Sequence, residues 1–294
     1  MVRSRPFFRA RKGAATAAAL TAATASLLTA GAAPATAVSA SGQGSVKNYV
    51  ALGDSYAAGT GLAQQTNAAC GRSVGSYPWW IAETYKPAVF KDVTCSGATT
   101  RSLWNQEGPA APQVNALTRD TDLVTVTLGG NDLGFSDVLT TCVLAGLTTR
   151  EGTPCRDKAA KDVDAGFAEL NTRLPDMLTD IKRRSPDARV VVVGYPNPFP
   201  ADGSACGSSG PLAKGDVAWL HRTTNRLNVM LQLAALTKQA EYVDTSSAFR
   251  DRDMCSPSSG QWINPLLPRT PGSAHPNAVG HLMTASKVYE RLEK

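Results

Sequence analysis

The chain has 294 residues, of which 43% are hydrophobic and 18% charged, a composition that supports a large buried core and argues against intrinsic disorder. Aromatic residues make up only 6%, which disfavours the base-stacking modules that bind nucleic acids. The formal net charge of +6 includes five basic residues and no acidic residue within residues 1–37. Without those five, 25 basic residues stand against 24 acidic ones, so nothing in the charge indicates a polyanionic partner such as a nucleic acid.

Residues 1–37 have the pattern of a secretory signal peptide. A basic start is followed by a weakly apolar, Ala-rich run and by the small-residue cleavage pattern Ala35-Thr36-Ala37, with Val38-Ser39-Ala40 as a second candidate. An N-terminal membrane anchor is the alternative, but the apolar core is short and interrupted by Thr, against the roughly 20 residues that span a bilayer. We expect a secreted, extracellular protein with a flexible segment over 38–47 and one folded domain over 48–294.

Five short apolar segments follow the signal region. The strand candidates are Tyr49–Leu52, Val89–Thr94, Leu123–Leu128, Arg189–Val193 and Glu241–Val243. The third and fourth are runs of β-branched residues, which are typical of strands buried on both faces of a parallel sheet.

Helical patterns separate these segments. An apolar stripe predicts a helix over Ala159–Arg184, in which Pro175 is expected to kink or split the helix. A second helix is predicted over Leu212–Ala240, and a last one from the N-cap residue Asn277 to Leu292. Strands that alternate with helices predict a doubly wound α/β sandwich, in which active sites lie at the carboxyl ends of the strands.

Six cysteines in an exported chain indicate disulfide bonds. The chain has no C-x-x-C pair and no H-E-x-x-H motif, so a zinc site is not expected. Six cysteines allow 15 pairings. We favour the sequential one, Cys70–Cys95, Cys142–Cys155 and Cys206–Cys255.

Ser55 follows the first strand candidate directly, in the sequence Gly53-Asp54-Ser55-Tyr56. A Ser at the tip of a strand, after a Gly that permits a tight turn, is well placed for nucleophilic attack. The alternative is a Ser that caps the next helix, and this turn by itself does not decide between the two roles.

Two other strand ends carry groups that can bind an oxyanion. The third strand ends in Gly129-Gly130-Asn131, where the Asn131 side chain can donate an N–H, and the second ends before Gly97, whose backbone N–H is a further donor. Each sequence is also typical of an ordinary turn, so each is weak evidence alone.

Three histidines compete for the role of the base. His221 and His281 fall within predicted helices, where packing or surface roles are more common, whereas His275 precedes the last helix in a loop held rigid by Pro276. A neutral imidazole is the group that activates a serine hydroxyl at neutral pH, so His275 is the expected partner of Ser55.

Together these blocks resemble the SGNH (GDSL) hydrolase superfamily, which is named for its Ser, Gly, Asn and His. Ser55, Gly97, Asn131 and His275 match in order, over about residues 48–291, and the cysteine pattern is most similar to secreted bacterial lipases and esterases. The resemblance implies a flavodoxin-like three-layer αβα sandwich with five parallel strands in the order 2-1-3-4-5. It also implies that Ser55 is the nucleophile, that His275 is the general base and acid, and that Ser55, Gly97 and Asn131 form the oxyanion hole.

One position departs from the family pattern. Many members have Asp three residues before the His, and this chain has Gly272 there. We therefore expect a Ser-His dyad in which the main-chain carbonyl of Gly272 or Ser273 orients the imidazole. A hidden carboxylate, from Asp54, Asp251 or Asp253, is the alternative, although for Asp54 hydrogen bonds that hold the turn are the favoured role.

The substrate is less well defined by the sequence. A loop over 133–158, stapled by Cys142–Cys155, is expected either to wall an acyl pocket or to be an ordinary excursion. Trp79-Trp80 is read either as a lipid-facing anchor or, preferably, as the start of a packed helix. The acyl-pocket reading of the loop uses five apolar residues: Phe135, Leu139, Val143, Leu144 and Leu147.

These features lead to the hypothesis of a secreted lipase or carboxylesterase that hydrolyses lipid or small acyl esters through an acyl-enzyme. Such a protein needs no metal or other cofactor, does not bind nucleic acid, is expected to be a monomer, and makes at most transient contact with lipid interfaces. The alternatives are a phospholipase or carbohydrate O-acetyl esterase on the same machinery, and a catalytically inactive secreted binding protein.

Overall fold

The computed structural model describes residues 46–204, 206–207 and 210–294. The predicted signal peptide and most of the 38–47 segment lie outside the described residues. Within the described part of the chain, no helix is both long enough and apolar enough to cross a membrane.

The described residues form seven strands and six α-helices, in chain order: β1 (Asn48–Gly53), α1 (Ser55–Ala58), β2 (Gln65–Asn67), β3 (Arg72–Ser73), α2 (Tyr77–Tyr85), β4 (Val89–Asp92), β5 (Leu123–Thr127), α3 (Phe135–Thr148), α4 (Arg156–Arg184), β6 (Arg189–Val193), α5 (Lys214–Thr237), β7 (Glu241–Val243) and α6 (Ala278–Leu292).

Five of these strands form one parallel sheet in the order β4-β1-β5-β6-β7. Counted along the chain, this is the order 2-1-3-4-5, so the expected sheet is confirmed. All five carboxyl ends lie on the same edge, because every pair is parallel. The short β2 and β3 form a separate antiparallel pair.

Helices cover both faces of the sheet, because alternate strand residues point to opposite sides. Tyr49 and Ala51 pack with the apolar faces of α2 and α6, whereas Val50 and Leu52 pack with those of α3, α4 and α5. The three-layer αβα sandwich that the sequence predicted is therefore confirmed.

Two helices differ from their predictions. The segment expected to be a stapled loop over 133–158 contains the 14-residue helix α3. Its Thr and Gly content lowers helix propensity, but burial of Val138, Leu139, Cys142 and Ala145 on one face supplies tertiary stabilisation. Helix α4 runs through Pro175 without a break, so of the two effects expected there, a kink or a split, the split does not occur.

The six cysteines form three disulfide bonds in sequential order: Cys70–Cys95, Cys142–Cys155 and Cys206–Cys255. The first joins the segment after β2 to the segment after β4, and the second joins α3 to the residue before α4. Each bond limits the relative motion of the two segments that it joins.

Candidate active site

The nucleophile candidate Ser55 lies in the tight turn between β1 and α1. Gly53 has φ +156°, and a Cβ there would lie 2.6 Å from the Ala57 Cβ, so the turn requires glycine. Asp54 caps α1 by accepting the Tyr56 N–H at 2.9 Å. Ser55 is only 7% exposed, and the turn holds it at the carboxyl edge of the sheet.

The loop before α6 brings His275 to this serine. The His275 Nε2 lies 2.8 Å from the Ser55 Oγ, although the two residues are 220 positions apart. The Nδ1 lies 2.8 Å from the main-chain carbonyl of Ser273, which can only accept, so Nδ1 carries the proton and Nε2 is the acceptor for the serine hydroxyl.

Between the two carbonyls that the sequence left open, the structure places Ser273 and not Gly272 against the ring. The Gly272 carbonyl accepts instead from the His275 backbone N–H at 3.0 Å and from the Asn264 Nδ2 at 3.1 Å. The loop is thus tied to Asn264, which holds the imidazole in place.

No carboxylate is among the hydrogen-bond partners of His275 in the described part of the chain. The Asp253 Oδ1 accepts the Cys255 N–H at 2.8 Å, and Asp54 bonds to Tyr56 and Tyr195. Burial lowers the pKa of His275 below its ordinary value, and the Ser273 carbonyl partly opposes this. The imidazole is therefore neutral near neutral pH, which is the form that can accept a proton.

The oxyanion-hole candidates lie around the same strand ends. Asn131 begins a short 3₁₀ turn after β5, and its Nδ2 donates to the Ala98 carbonyl at 2.9 Å, which leaves one amide hydrogen for a ligand. The turn that contains Gly97 lies beside the nucleophile turn, because Cys95 N–H donates to the Gly53 carbonyl at 3.0 Å. No atom lies within 4 Å of a Cβ built on Gly97, so the space over this residue is open.

Two tyrosines that the sequence analysis did not single out connect these turns. The Tyr195 hydroxyl donates to the Asp54 Oδ2 at 2.5 Å and accepts from the Gly130 N–H at 3.0 Å. The Tyr56 hydroxyl donates to the Ala274 carbonyl at 2.5 Å. Tyr195 follows the end of β6, so the rule that sites form at carboxyl ends of strands was the available signal.

Asp54 is buried beside the nucleophile. Burial raises the pKa of this carboxyl to about 7, against the opposing effect of the Tyr195 hydrogen bond. The hydrogen bonds of Asp54 to Tyr56 and Tyr195 hold the turn, as the sequence analysis favoured.

Two cavities open at this site. The main cavity is lined by Ser55, Asn131 and His275 together with apolar side chains that include Phe135 and Leu227. A wider groove lies between α3 and residues 266–271, and we call it the α3 groove. It shares only His275 and Ser136 with the main cavity.

The five apolar residues proposed for an acyl pocket divide between these spaces. Phe135 lines the main cavity, and Leu139, Val143 and Leu144 line the α3 groove. Leu147 lines neither and is 66% exposed, because it lies on the outer face of α3.

The other singled-out residues lie away from both cavities. Trp79 and Trp80 are half-buried near the start of α2, and Trp80 packs against the core that α2 shares with α6. His221 lies in α5, with its Nδ1 2.9 Å from the Phe199 carbonyl. His281 is fully buried in α6, accepts the Tyr77 N–H at 3.2 Å, and has a pKa lowered to about 3 by burial and by His275.

Among the residues the structure describes, no group of three or more His, Cys, Asp or Glu side chains is arranged to hold a metal ion.

Known proteins are similar to this chain in both sequence and fold. The profile of the GDSL-like Lipase/Acylhydrolase family matches residues 51–283. Lipase 2 of Streptomyces coelicolor is 40% identical over 255 residues, which cover 83% of this chain and 85% of that protein. Phospholipase A1 from Streptomyces albidoflavus has a crystal structure with a TM-score of 0.69 and 30% identity, covering 83% of this chain and 99% of that one. The crystal structure of an extracellular lipase from Streptomyces rimosus gives a TM-score of 0.70 at 29% identity and covers 84% and 98%.

Proposed function

Because this chain belongs to the GDSL-like lipase/acylhydrolase family and is an ester hydrolase, we propose that it cleaves lipid acyl esters with Ser55 and His275 as a catalytic dyad. The single observation that carries the proposal is the 2.8 Å contact between the Ser55 Oγ and the His275 Nε2. This distance is within the range needed for direct proton transfer from a nucleophile to its base.

The reaction begins when the Ser55 Oγ attacks the ester carbonyl carbon and transfers its proton to the His275 Nε2. The carbonyl oxygen becomes an oxyanion, which the backbone N–H groups of Ser55 and Gly97 and the amide of Asn131 stabilise. One donor of this kind is worth about 3 kcal/mol of barrier. The carbon–oxygen bond to the alcohol then breaks, and His275 gives its proton to the leaving oxygen. Water, activated by the same imidazole, releases the acid from the acyl-enzyme.

The Ser273 carbonyl takes the place that a carboxylate occupies in a Ser-His-Asp triad. It orients the ring and fixes the tautomer, but as a neutral dipole it stabilises the imidazolium less than a carboxylate does. The dyad therefore has modest base strength, and the oxyanion donors contribute a larger share of the rate enhancement.

Lipid esters are the substrates that the site supports best. The main cavity beside Ser55 has a largely apolar lining, which suits an acyl chain, and the relatives named above are a lipase and a phospholipase A1. The neighbouring apolar α3 groove leaves room for a substrate with a bulky alcohol part.

Other observations bear on the processing, secretion and oligomeric state of the protein. We propose that residues 1–37 are removed as a signal peptide and that residues 48–294 form the secreted hydrolase domain. Three disulfide bonds and the related extracellular lipase support secretion. The steps above use groups of a single chain, so a monomer suffices for them, and they require no cofactor.

Kinetics on p-nitrophenyl esters of increasing chain length test the proposal. Ser55→Ala and His275→Ala should each lower kcat by about 10⁴-fold or more with the fold intact, whereas Ser258→Ala, an exposed serine remote from the cavities, should not. A fluorophosphonate should label the wild type and Ser258→Ala but not Ser55→Ala. A rate optimum at acetyl would refute the lipid substrate, and a folded wild type without labelling would favour the inactive binding protein.

A further inference from the structure

The two cavities that meet at His275 contain different reactive groups. The main cavity contains the Ser55 hydroxyl and the Asn131 amide. The α3 groove contacts His275 and Ser273 but neither Ser55 nor Asn131. The groove is therefore on the side of the base, and the main cavity is on the side of the nucleophile and the oxyanion donors.

Acyl transfer places the two halves of an ester differently with respect to these groups. The carbonyl oxygen must face the oxyanion donors, whereas the leaving oxygen must lie near the Nε2 that protonates it. The alcohol part of the ester thus extends past the imidazole into the α3 groove, and the acyl chain stays in the main cavity.

The chemistry of the groove is that of an amphiphile site. Leu139 and Leu144 on α3 face Leu266 and Leu267 across it, and Leu144 and Leu267 are 60% and 41% exposed. Arg269 is the only Lys, Arg, Asp or Glu among the described residues that line the groove. Its side chain is exposed, and no ion pair with another described residue engages it.

From this arrangement we propose that the α3 groove binds the leaving group of a glycerophospholipid, with Arg269 pairing with the phosphate and the leucines contacting the second acyl chain. The inference rests on the proposed function, since it takes His275 as the acid that protonates the leaving oxygen. A guanidinium matches phosphate oxygens in a bidentate fork, and an exposed leucine wall suits an alkyl chain.

The phosphate contact is tested with monomeric substrates of equal acyl chains, dihexanoylphosphatidylglycerol and dihexanoylglycerol, kept below their micelle-forming concentrations so that surface attraction does not contribute. The ratio of kcat/KM for the phospholipid to that for the diacylglycerol should fall about tenfold or more in Arg269→Gln. Arg269→Lys should retain part of the ratio. Arg222→Gln, a matched change of an exposed arginine on α5 outside the groove, should leave it at the wild-type value. An unchanged ratio in Arg269→Gln overturns the phosphate contact.

The direction of binding is tested by narrowing the groove with Leu144→Trp, a substitution on the exposed face of α3 that does not disturb the core. The variant should lose activity as the alcohol part of the ester grows, with the acyl-length profile on p-nitrophenyl esters as in the wild type. A profile shifted towards shorter acyl chains would place the acyl chain in the groove and overturn the assignment. Fluorophosphonate labelling distinguishes a failure of this inference from a failure of the proposed function. If the variants are labelled and their selectivity is unchanged, only this inference is refuted. If the wild type is neither labelled nor active, the Ser55–His275 dyad itself is refuted.

Discussion

Replacing Tyr195 with Phe removes a hydroxyl that joins two of the turns in the site. That hydroxyl donates to Asp54 Oδ2 and accepts from the Gly130 N–H, so the variant leaves a buried carboxyl oxygen and a backbone amide without these partners. Each unsatisfied buried group costs about 1–3 kcal/mol, so the two groups together should lower the free energy of unfolding by about 2–6 kcal/mol. At roughly 2–4 °C per kcal/mol for a domain of this size, the Tm should fall by roughly 4–24 °C.

The loss of stability in Tyr195→Phe should depend on pH, because the Asp54 carboxyl titrates. Its pKa in the folded protein is about 7, above the ordinary value for Asp, so stability from its protonated form is present at low pH and lost as pH rises through about 7. The Tyr195 hydrogen bond favours the charged carboxylate, and without it the folded-state pKa rises further. The destabilisation by Tyr195→Phe should therefore be larger at pH 9 than at pH 5.

Thermal unfolding at pH 5 and pH 9, together with ester kinetics, measures both effects. Asp54 and Gly130 directly precede Ser55 and Asn131, so kcat should fall about tenfold while KM changes little. Tyr85→Phe removes a tyrosine hydroxyl that bonds to Glu293, the residue after the end of α6, and serves as the matched control. If Tyr195→Phe behaves like Tyr85→Phe in Tm, pH dependence and kcat, the hydroxyl does not position the site and the reasoning is refuted.

Three further outcomes are expected. The rate kcat/KM should fall as pH drops, with its midpoint below the ordinary His value, because burial lowers the pKa of His275 and only the neutral imidazole accepts a proton; a midpoint above that value in a pH-rate profile would contradict the burial effect. Replacing both Cys142 and Cys155 with Ser should cost about 3 kcal/mol of stability in denaturant unfolding, from the 13-residue loop that they close, and an unchanged midpoint would show that α3 is held by packing alone. Asp253→Asn should keep kcat within about twofold of the wild type. A loss of about 10³-fold in a folded variant would instead reveal a carboxylate that supports His275.

Much of the architecture followed from local patterns. β-branched runs such as Leu123–Leu128 indicated buried parallel strands, and the structure forms β5 there. Because parallel strands end at one edge, the residues after them were expected to meet, and Ser55 and His275 do so across 220 positions. Asn277 was recognised as the N-cap of the last helix, where its side chain accepts the Gly280 N–H at 3.0 Å. These features depend on residue types at short spacing, which a sequence displays directly.

Tertiary structure alone decided the rest. The choice of the Ser273 carbonyl over that of Gly272 depends on the path of a loop tied to Asn264, and no local pattern encodes it. Tyr195 has its role only because β6 lies beside β5 and carries the tyrosine hydroxyl to Asp54. Helix α3 was missed because its stability comes from burial against other elements rather than from its own propensity, and the groove that it forms exists only between surfaces distant in the chain.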